Sequence, residues 1–360
     1  MNSKPMPFKP IATTLVGLLS VAVIALGFFS FSSGTAISDL IEEVVKEEPR
    51  NSLGGRIGSD GPILVVKIDD TARAHPQAGL EDADIVYIEQ VEGGLTRLAA
   101  IFSSKIPELI GPVRSARISD IEILKQFGRV VFAYSGAQQK LLPVIAAADL
   151  ENFGAQRQSP EIYPTDPKRT SPTAMMLRAD KLMLKVADAQ LPVVISRPIG
   201  WSFGPAPETG TAILAAKVSW PASSYDVTWS EVEQRWLLAN RGVPDLSTSG
   251  VHLGPTTFVI QKIKITDSQY GDKFGGITPY SNTVGSGSGY ILRDGKSIPA
   301  NWERLAENTG TTWRTLLGEE IKFAPGQVWV ALVDQEPSFT AQAVPDPALN
   351  GAGATKSTTK

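Results

Sequence analysis

The segment Ile63-Leu-Val-Val-Lys-Ile68 is rich in β-branched residues and is bounded by turn residues, so it predicts the first strand of the globular body. Two similar runs come next, Ile85-Val-Tyr-Ile-Glu-Gln-Val91 and Leu98-Ala-Ala-Ile-Phe102, and Val130-Val-Phe-Ala-Tyr134 predicts a further strand. Helices are predicted around these strands at residues 119–128, 138–148 and 173–187. The alternation of strands and helices predicts an α/β layered domain.

The second half of the chain has the pattern of antiparallel hairpins. Residues 258–265 alternate apolar and polar side chains, which is typical of a strand with one buried face. Asp294-Gly295 and Pro325-Gly326 are turn sequences, and each is flanked by apolar runs. This half therefore predicts a mostly antiparallel β domain.

A mostly apolar run at residues 11–31 is long enough, as a helix, to cross a bilayer. Lys4 and Lys9 precede it and acidic residues dominate the segment after it, which predicts a single-pass topology with the N-terminus in the cytoplasm and residues 40–360 outside. A cleaved signal peptide is the alternative, because Gly34-Thr35-Ala36 offers small residues at a plausible cleavage site. Both alternatives export residues 40–360.

The expected fold class is α+β, with an N-terminal α/β layered domain and a mostly antiparallel β C-terminal domain, preceded by one transmembrane helix. The expected regions, in chain order, are a cytoplasmic N-terminus with the anchor or signal peptide (1–37), a linker (38–60), the N-terminal domain (61–205), the C-terminal domain (206–334) and a disordered tail (335–360).

Composition excludes several classes of protein. A formal net charge of -3 lacks the basic excess of a dedicated nucleic-acid binder, so no nucleic-acid partner is expected. The chain has no cysteine, which excludes disulfides, a thiolate nucleophile and cysteine-ligated metals. With His75 and His252 as the only imidazoles, a multi-histidine metal centre is remote, and we expect no metal and no cofactor.

Two arginines in Gly111-Pro-Val-Arg-Ser-Ala-Arg117 stand between a predicted strand and a predicted helix start, where guanidiniums and free backbone N–H groups can hold a phosphate, sulfate or carboxylate. Arg97 could add a third positive charge from the same sheet edge. The alternative is that these arginines form internal ion pairs with acidic residues of segment 69–92. The candidate ligand-binding residues are Arg97, Arg114, Ser115, Arg117, His75 in a polar loop, and Ser135 at a strand-to-helix turn.

Carboxylates cluster ahead of these arginines, at Asp69, Asp70, Glu89 and Glu92. By alternation Glu89 lies on a largely apolar strand face, where a carboxylate must be paired, raised in pKa or functional. Paired carboxylates beside arginines could serve acid/base hydrolysis, as in glycosidases, or bind a hard cation such as calcium or magnesium through oxygen. The alternative is an Arg–carboxylate lattice that stabilises the loops at the sheet edge.

Four segments resemble the YerB-like family, bacterial proteins of unknown function described as lipoproteins. They are Pro76-Gln-Ala-Gly-Leu80, Ala83-Asp-Ile-Val-Tyr87, Glu92-Gly-Gly-Leu-Thr-Arg97 and Ile110-Gly-Pro-Val-Arg-Ser-Ala-Arg117, and the resemblance covers about residues 62–333. It implies export and membrane attachment, which in the family usually uses a lipidated cysteine. This chain has no cysteine, so the resemblance implies anchoring by the transmembrane segment. Where the family often has Pro-His-Asn, this chain has Ser171-Pro-Thr-Ala174, so no role of that histidine carries over.

The function expected from these features is that of a membrane-anchored, extracytoplasmic binding or scaffold protein of the bacterial cell envelope. Its partners would be the membrane, through residues 11–31, and an anionic cell-wall ligand or an envelope protein held by the arginine-lined site. No catalytic residue is assigned under this hypothesis. The alternative is a hydrolase of cell-wall glycan or phosphoester that uses Glu89, Glu92, Asp69 or Asp70.

Overall fold

A computed structural model of the protein describes residues 48–272 and 275–342. The expected membrane segment at residues 11–31 and most of the expected tail lie outside this part of the chain. Within the described residues, no helix is both long and apolar enough to cross a membrane. The structure therefore does not support the transmembrane part of the predicted fold class or the single-pass topology.

Strands make up most of the regular structure, and three α-helices are present among the described residues. The strands are β1 (Leu64–Asp69), β2 (Ile85–Gln90), β3 (Thr96–Phe102), β4 (Leu109–Ile110), β5 (Val131–Ala133), β6 (Glu151–Asn152), β7 (Leu177–Arg178), β8 (Thr211–Trp220), β9 (Ser223–Ser230), β10 (Arg235–Asn240), β11 (Val243–Pro244), β12 (Thr257–Lys262), β13 (Lys264–Gly271), β14 (Ile277–Asn282), β15 (Gly285–Arg293), β16 (Lys296–Arg304), β17 (Thr312–Thr315), β18 (Val328–Val333) and β19 (Ser338–Ala341). The helices are α1 (Ile118–Lys125), α2 (Leu142–Ala147) and α3 (Ala179–Asp188), and short 3₁₀ turns cover Leu80–Asp82, Glu92–Gly94 and Ala155–Arg157.

One mixed sheet of 15 strands runs through the described chain. Its main order is β11-β10-β9-β8-β16-β15-β12-β18-β2-β3-β1-β5-β6, with β17 joined to β16 and β19 joined to β8. In its middle, β18 pairs in parallel with both β12 and β2. Strand β3 lies between β2 and β1 and is antiparallel to both.

The predicted α+β class is wrong, because the structure is mainly β and strands from both halves share this sheet. The first three strands were expected in an α/β layered arrangement, yet β3 pairs antiparallel with β2 on one side and β1 on the other. Residues 70–84, which connect the parallel strands β1 and β2, contain a 3₁₀ turn in place of an α-helix. We call these three strands the β1–β3 unit. Strand β18 was expected in a hairpin and is instead a central parallel strand. An apolar run identifies a strand buried on both faces, but it carries no information about which strands flank it.

The helices are shorter than the sequence pattern predicts. Helix α1 begins at Ile118, and its start is closed by the backbone N–H of Arg117, which donates to Asp120 Oδ2 at 2.6 Å. Ser119 stands at the predicted start of this helix, and its buried hydroxyl accepts a hydrogen bond from the N–H of Ser281 at 3.0 Å. The start of α1 is thereby attached to β14.

The core has two apolar layers, one on each face of the sheet. Strand β18 contributes to both, because alternate side chains of a strand point to opposite faces. Trp329, Ala331 and Val333 pack into one layer. Val328, Val330 and Leu332 pack into the other. Burial on both faces explains why β18 reads as an unbroken apolar run.

A matched pair of valines tests the central position of β18. Val330 is 1% exposed and Val232 is 94% exposed. We expect Val330→Ala to lower the free energy of unfolding by about 2 kcal/mol, since it removes buried methyl groups and leaves a cavity. Val232→Ala should change it by less than about 0.5 kcal/mol. Urea titration measures both, and equal effects would contradict the central placement of β18.

Candidate functional site

Charged side chains replace apolar ones at one end of the β1–β3 unit. In β1, Lys67 and Asp69 follow Val65 on the same face. In β2, Glu89 follows Tyr87 on this face, and in β3, Arg97 precedes Ala99. The strand register sets Asp69 and Glu89 opposite Arg97 on its two sides. One face of the sheet therefore ends in a cluster of charges.

The segment after β4 brings two more guanidiniums to this cluster. The backbone N–H of Arg114 donates to the carbonyl of Lys67 at 2.8 Å, which extends the sheet beyond β1. Arg117 directly precedes α1. Together with Arg97 these residues line a cleft of about 720 Å³, which we call the Arg cleft.

The walls of the Arg cleft come from distant parts of the chain. Thr71, Leu95 and Gln138 come from loops around the β1–β3 unit. Tyr270 and Thr278 come from the β13–β14 hairpin. Asp272 also lines the cleft, and its Oδ1 accepts a hydrogen bond from the N–H of Gly276 at 2.8 Å. The cleft is therefore built from both halves of the chain.

Two of the three arginines have carboxylate partners. Arg117 donates through Nε and Nη2 to Glu92 Oε2, at 3.0 and 2.6 Å. Burial would raise the pKa of Glu92, but the hydrogen bonds and charge of Arg117 lower it. Arg114 Nε lies 2.7 Å from Asp69 Oδ2, although the angle does not make a directed hydrogen bond. The expected Arg–carboxylate pairs thus account for Arg114 and Arg117.

Arg97 has no such partner among the described residues. It is 8% exposed, and the hydrogen bond of its guanidinium goes to the carbonyl oxygen of Ser115 at 3.1 Å. Burial, followed by the positive charges of Arg117 and Arg114, lowers the pKa of Arg97 to about 9. Arg97 is therefore a buried guanidinium beside two paired ones, and an anion bound next to it would relieve the repulsion among the three.

Glu89 belongs to a separate, fully buried group beneath the cleft. Lys67 Nζ contacts Glu89 Oε1 and lies 2.8 Å from Asp120 Oδ1. Burial, followed by the negative charge of Asp120, raises the pKa of Glu89 to about 7. Lys67 reaches Glu89 across β3, where the small residue Ala99 stands opposite Lys67. Glu89 is not among the residues that line the cleft.

Asp70 and His75 lie on the opposite face of the sheet. Asp70 Oδ1 accepts from Tyr225 Oη at 2.6 Å and lies 3.3 Å from His75 Nε2. His75 Nδ1 lies 2.9 Å from Asp245 Oδ1. We call these four residues the His75 cluster. Since adjacent strand residues point to opposite faces, Asp69 pairs with Arg114 of the Arg cleft while Asp70 contributes to this cluster.

The two serines occupy different places. Ser115 lines the cleft, and its carbonyl oxygen accepts the bond from Arg97. Ser135 follows β5, and its backbone N–H donates to the carbonyl of Arg114 at 2.9 Å. Of the candidate ligand-binding residues, the structure brings together Arg97, Arg114, Ser115 and Arg117, but places His75 and Ser135 outside the lining of the cleft.

Sequence reasoning missed several residues of the Arg cleft, of the buried group around Lys67 and of the His75 cluster. Lys67 carried a signal, since it is a charge between Val66 and Ile68 in a strand buried on both faces. Asp120 carried a weaker signal, three residues after the helix-capping Arg117. No sequence signal marked Asp245, Tyr270 and Thr278, because only the tertiary fold brings them near the β1–β3 unit.

Comparison with known proteins identifies relatives of this chain. Two family models match it: the N-terminal domain of DUF3048, a protein of unknown function, over residues 53–191, and the C-terminal domain of DUF3048 over residues 216–330. YerB of Bacillus subtilis (strain 168), described as a lipoprotein, is 52% identical over 56 residues, which span 16% of this chain and 17% of that protein. The crystal structure of YerB from Bacillus subtilis matches with a TM-score of 0.68 and 19% identity, over 81% of this chain and 100% of that chain. At this identity the structural likeness shows the fold alone. The YerB-like resemblance is thus confirmed.

The His75 cluster predicts a pH-dependent stability. Burial would lower the pKa of His75, but its hydrogen bonds to Asp245 and Asp70 raise it to about 10. Because this is above the unfolded value of about 6.5, the stabilisation is complete below about pH 6.5 and is lost as pH rises towards about 10. We expect the free energy of unfolding to fall across this window. His75→Gln should cost about 3 kcal/mol near pH 6 and remove this part of the fall.

Urea titrations of the wild type and the variant between about pH 6 and pH 10 measure the effect. His252→Gln, which changes the second histidine, should keep the fall. A His75→Gln profile that runs parallel to the wild-type profile would show that the cluster does not hold a protonated imidazole.

Proposed function

From the premise that the chain belongs to the DUF3048 family, whose function is unknown, we propose that it is a binding protein of the bacterial cell envelope whose Arg cleft holds an anionic ligand. The match to YerB, described as a lipoprotein, supports an envelope location. The ligand-binding role is supported by the geometry of the cleft alone.

The buried guanidinium of Arg97 carries the proposal. A buried charge is costly unless a partner of opposite sign compensates it. Arg114 and Arg117 have partners in Asp69 and Glu92, but no described carboxylate lies within ion-pair distance of Arg97. An anion bound in the cleft would supply the missing charge, and a planar guanidinium binds carboxylates and phosphates through paired hydrogen bonds.

The size of the cleft supports an organic ligand. A volume of about 720 Å³ is typical of small-molecule sites and far exceeds the roughly 30 Å³ that one water occupies. Apolar side chains of Val91, Leu95, Leu141 and Tyr270 line it together with the arginines. Such a lining suits a ligand with an anionic head and a larger, partly apolar body.

The contacts of the four carboxylates favour binding over hydrolysis. A general acid or base must reach the proton that it transfers. Glu89 and Asp70 are fully buried and engaged by Lys67 and by Tyr225. Asp69 and Glu92 are held by the two paired arginines. No contact among the described residues specifically favours the hydrolase, so we retain the binding function as the conclusion.

Thermal unfolding in the presence of anions tests the proposal. Phosphate or sulfate should raise the Tm of the wild-type chain relative to chloride at equal ionic strength, because a ligand that binds only the folded state stabilises it. Arg97→Gln should abolish this anion-dependent rise. Without added anion, the variant should be at least as stable as the wild type, because the substitution removes a buried positive charge that lies near two other positive charges.

Arg197→Gln is the matched control, because Arg197 is exposed and lies outside the cleft. It should keep the full rise in Tm. If the wild type gains no more from phosphate or sulfate than from chloride, or if Arg97→Gln gains as much as the wild type, the Arg cleft is not an anion site.

A further inference from the structure

A second pocket adjoins the Arg cleft and has the opposite charge. It has a volume of about 340 Å³, and Tyr270 lines both cavities. Two consecutive residues also join the cavities, because Arg117 lines the cleft and Ile118 lines the second pocket. Three carboxylates line the second pocket, which we call the acidic pocket: Glu122, Asp267 and Glu307.

The carboxylates of the acidic pocket differ in how far they are compensated. Glu122 Oε1 accepts hydrogen bonds from the N–H and hydroxyl of Thr283, at 2.6 and 2.7 Å, and Glu307 forms an ion pair with Lys125. Buried Arg304 donates to the carbonyl oxygen of Glu122 at 2.8 Å. Asp267 is exposed and has no ion pair with a described residue. The pocket thus keeps an excess of negative charge over the two cations beside it.

The remaining walls of the acidic pocket combine apolar and aromatic side chains with the polar residues Ser268 and Gln269. Ile118 and Ile121 come from the first turn of α1, and Tyr270 and Tyr280 come from the hairpin. Aromatic faces attract ammonium groups, and carboxylates nearby strengthen that attraction. An alkyl ammonium group suits such a pocket, whereas a second anionic group would be repelled.

We propose that the ligand of the Arg cleft is a zwitterion, whose carboxylate binds Arg97 and whose alkyl ammonium group lies in the acidic pocket. This inference rests on the proposed function. A cluster of carboxylates alone would not define a site. The independent observation is the buried guanidinium of Arg97 in the adjoining cleft, which the anionic end of the same ligand would compensate.

Binding of three dipeptide probes to the full chain, measured by calorimetry, tests the inference. N-acetyl-alanyl-lysine carries a carboxylate and an ammonium group, N-acetyl-alanyl-glutamine carries the carboxylate alone, and N-acetyl-alanyl-lysine amide carries the ammonium alone. We expect the first to bind at least about fivefold more tightly than the second, which corresponds to about 1 kcal/mol. The third should bind weakest.

Variants assign the two ends of the ligand. The double variant Asp267→Asn, Glu307→Gln should bind the lysine probe only as tightly as the glutamine probe. Its affinity for the glutamine probe should equal that of the wild type. Asp188→Asn, at an exposed position at the end of α3, should preserve the discrimination. Arg97→Gln should weaken both carboxylate probes about equally.

Equal binding of the lysine and glutamine probes would overturn the inference, as would a preference that survives the double variant. If phosphate still stabilises the chain through Arg97 in that case, the proposed anion site stands and the zwitterion fails. If neither phosphate nor any probe binds, both proposals fail.

Discussion

The parallel pairing of β18 with β2 and with β12 is the contact on which the rest of the structure depends. It joins strands from the two matched family segments into one sheet, and both faces of β18 are buried. Without this pairing, the β1–β3 unit would lose its neighbour on the β2 side. The site depends on the same pairing, since the hairpin that supplies Tyr270 and Thr278 belongs to the C-terminal segment.

Contacts between this hairpin and α1 complete the arrangement. Tyr280 donates to Glu122, Ser281 donates to Ser119, and Thr278 donates to Glu92. These bonds position Arg117 through the start of α1 and through its partner Glu92. The cleft is therefore held on one side by the β1–β3 unit and on the other by the hairpin.

The sequence predicted the local elements of this structure better than their arrangement. The apolar runs at β1, β2, β3 and β5 became strands, because side-chain alternation and burial are local properties of the chain. The partners of β18 could not be predicted, since an apolar run fits either a parallel or an antiparallel neighbour. The resulting fold is a mixed sheet rather than an α/β domain beside a separate β domain.

The candidate site shows the same division. Clustering of Arg97, Arg114 and Arg117 followed from one sheet edge and one helix start, so the sequence could indicate it. The sequence could not decide between an anion site and an ion-pair lattice, because the choice depends on which carboxylate reaches which guanidinium. In the structure Asp69 and Glu92 reach two of the arginines, and Arg97 is left with a carbonyl. The acidic pocket had no sequence signal, because Glu122, Asp267 and Glu307 come together only in the fold.

The central claim is that the buried guanidinium of Arg97 binds an anion. Anomalous diffraction from crystals of the full chain grown with selenate tests it most directly, because selenium marks the position of the anion without assuming a ligand. We expect a selenium peak in the Arg cleft, with an oxygen within about 3 Å of the Arg97 guanidinium. A cleft without such a peak, with Arg97 turned onto a carboxylate of the chain, would contradict it.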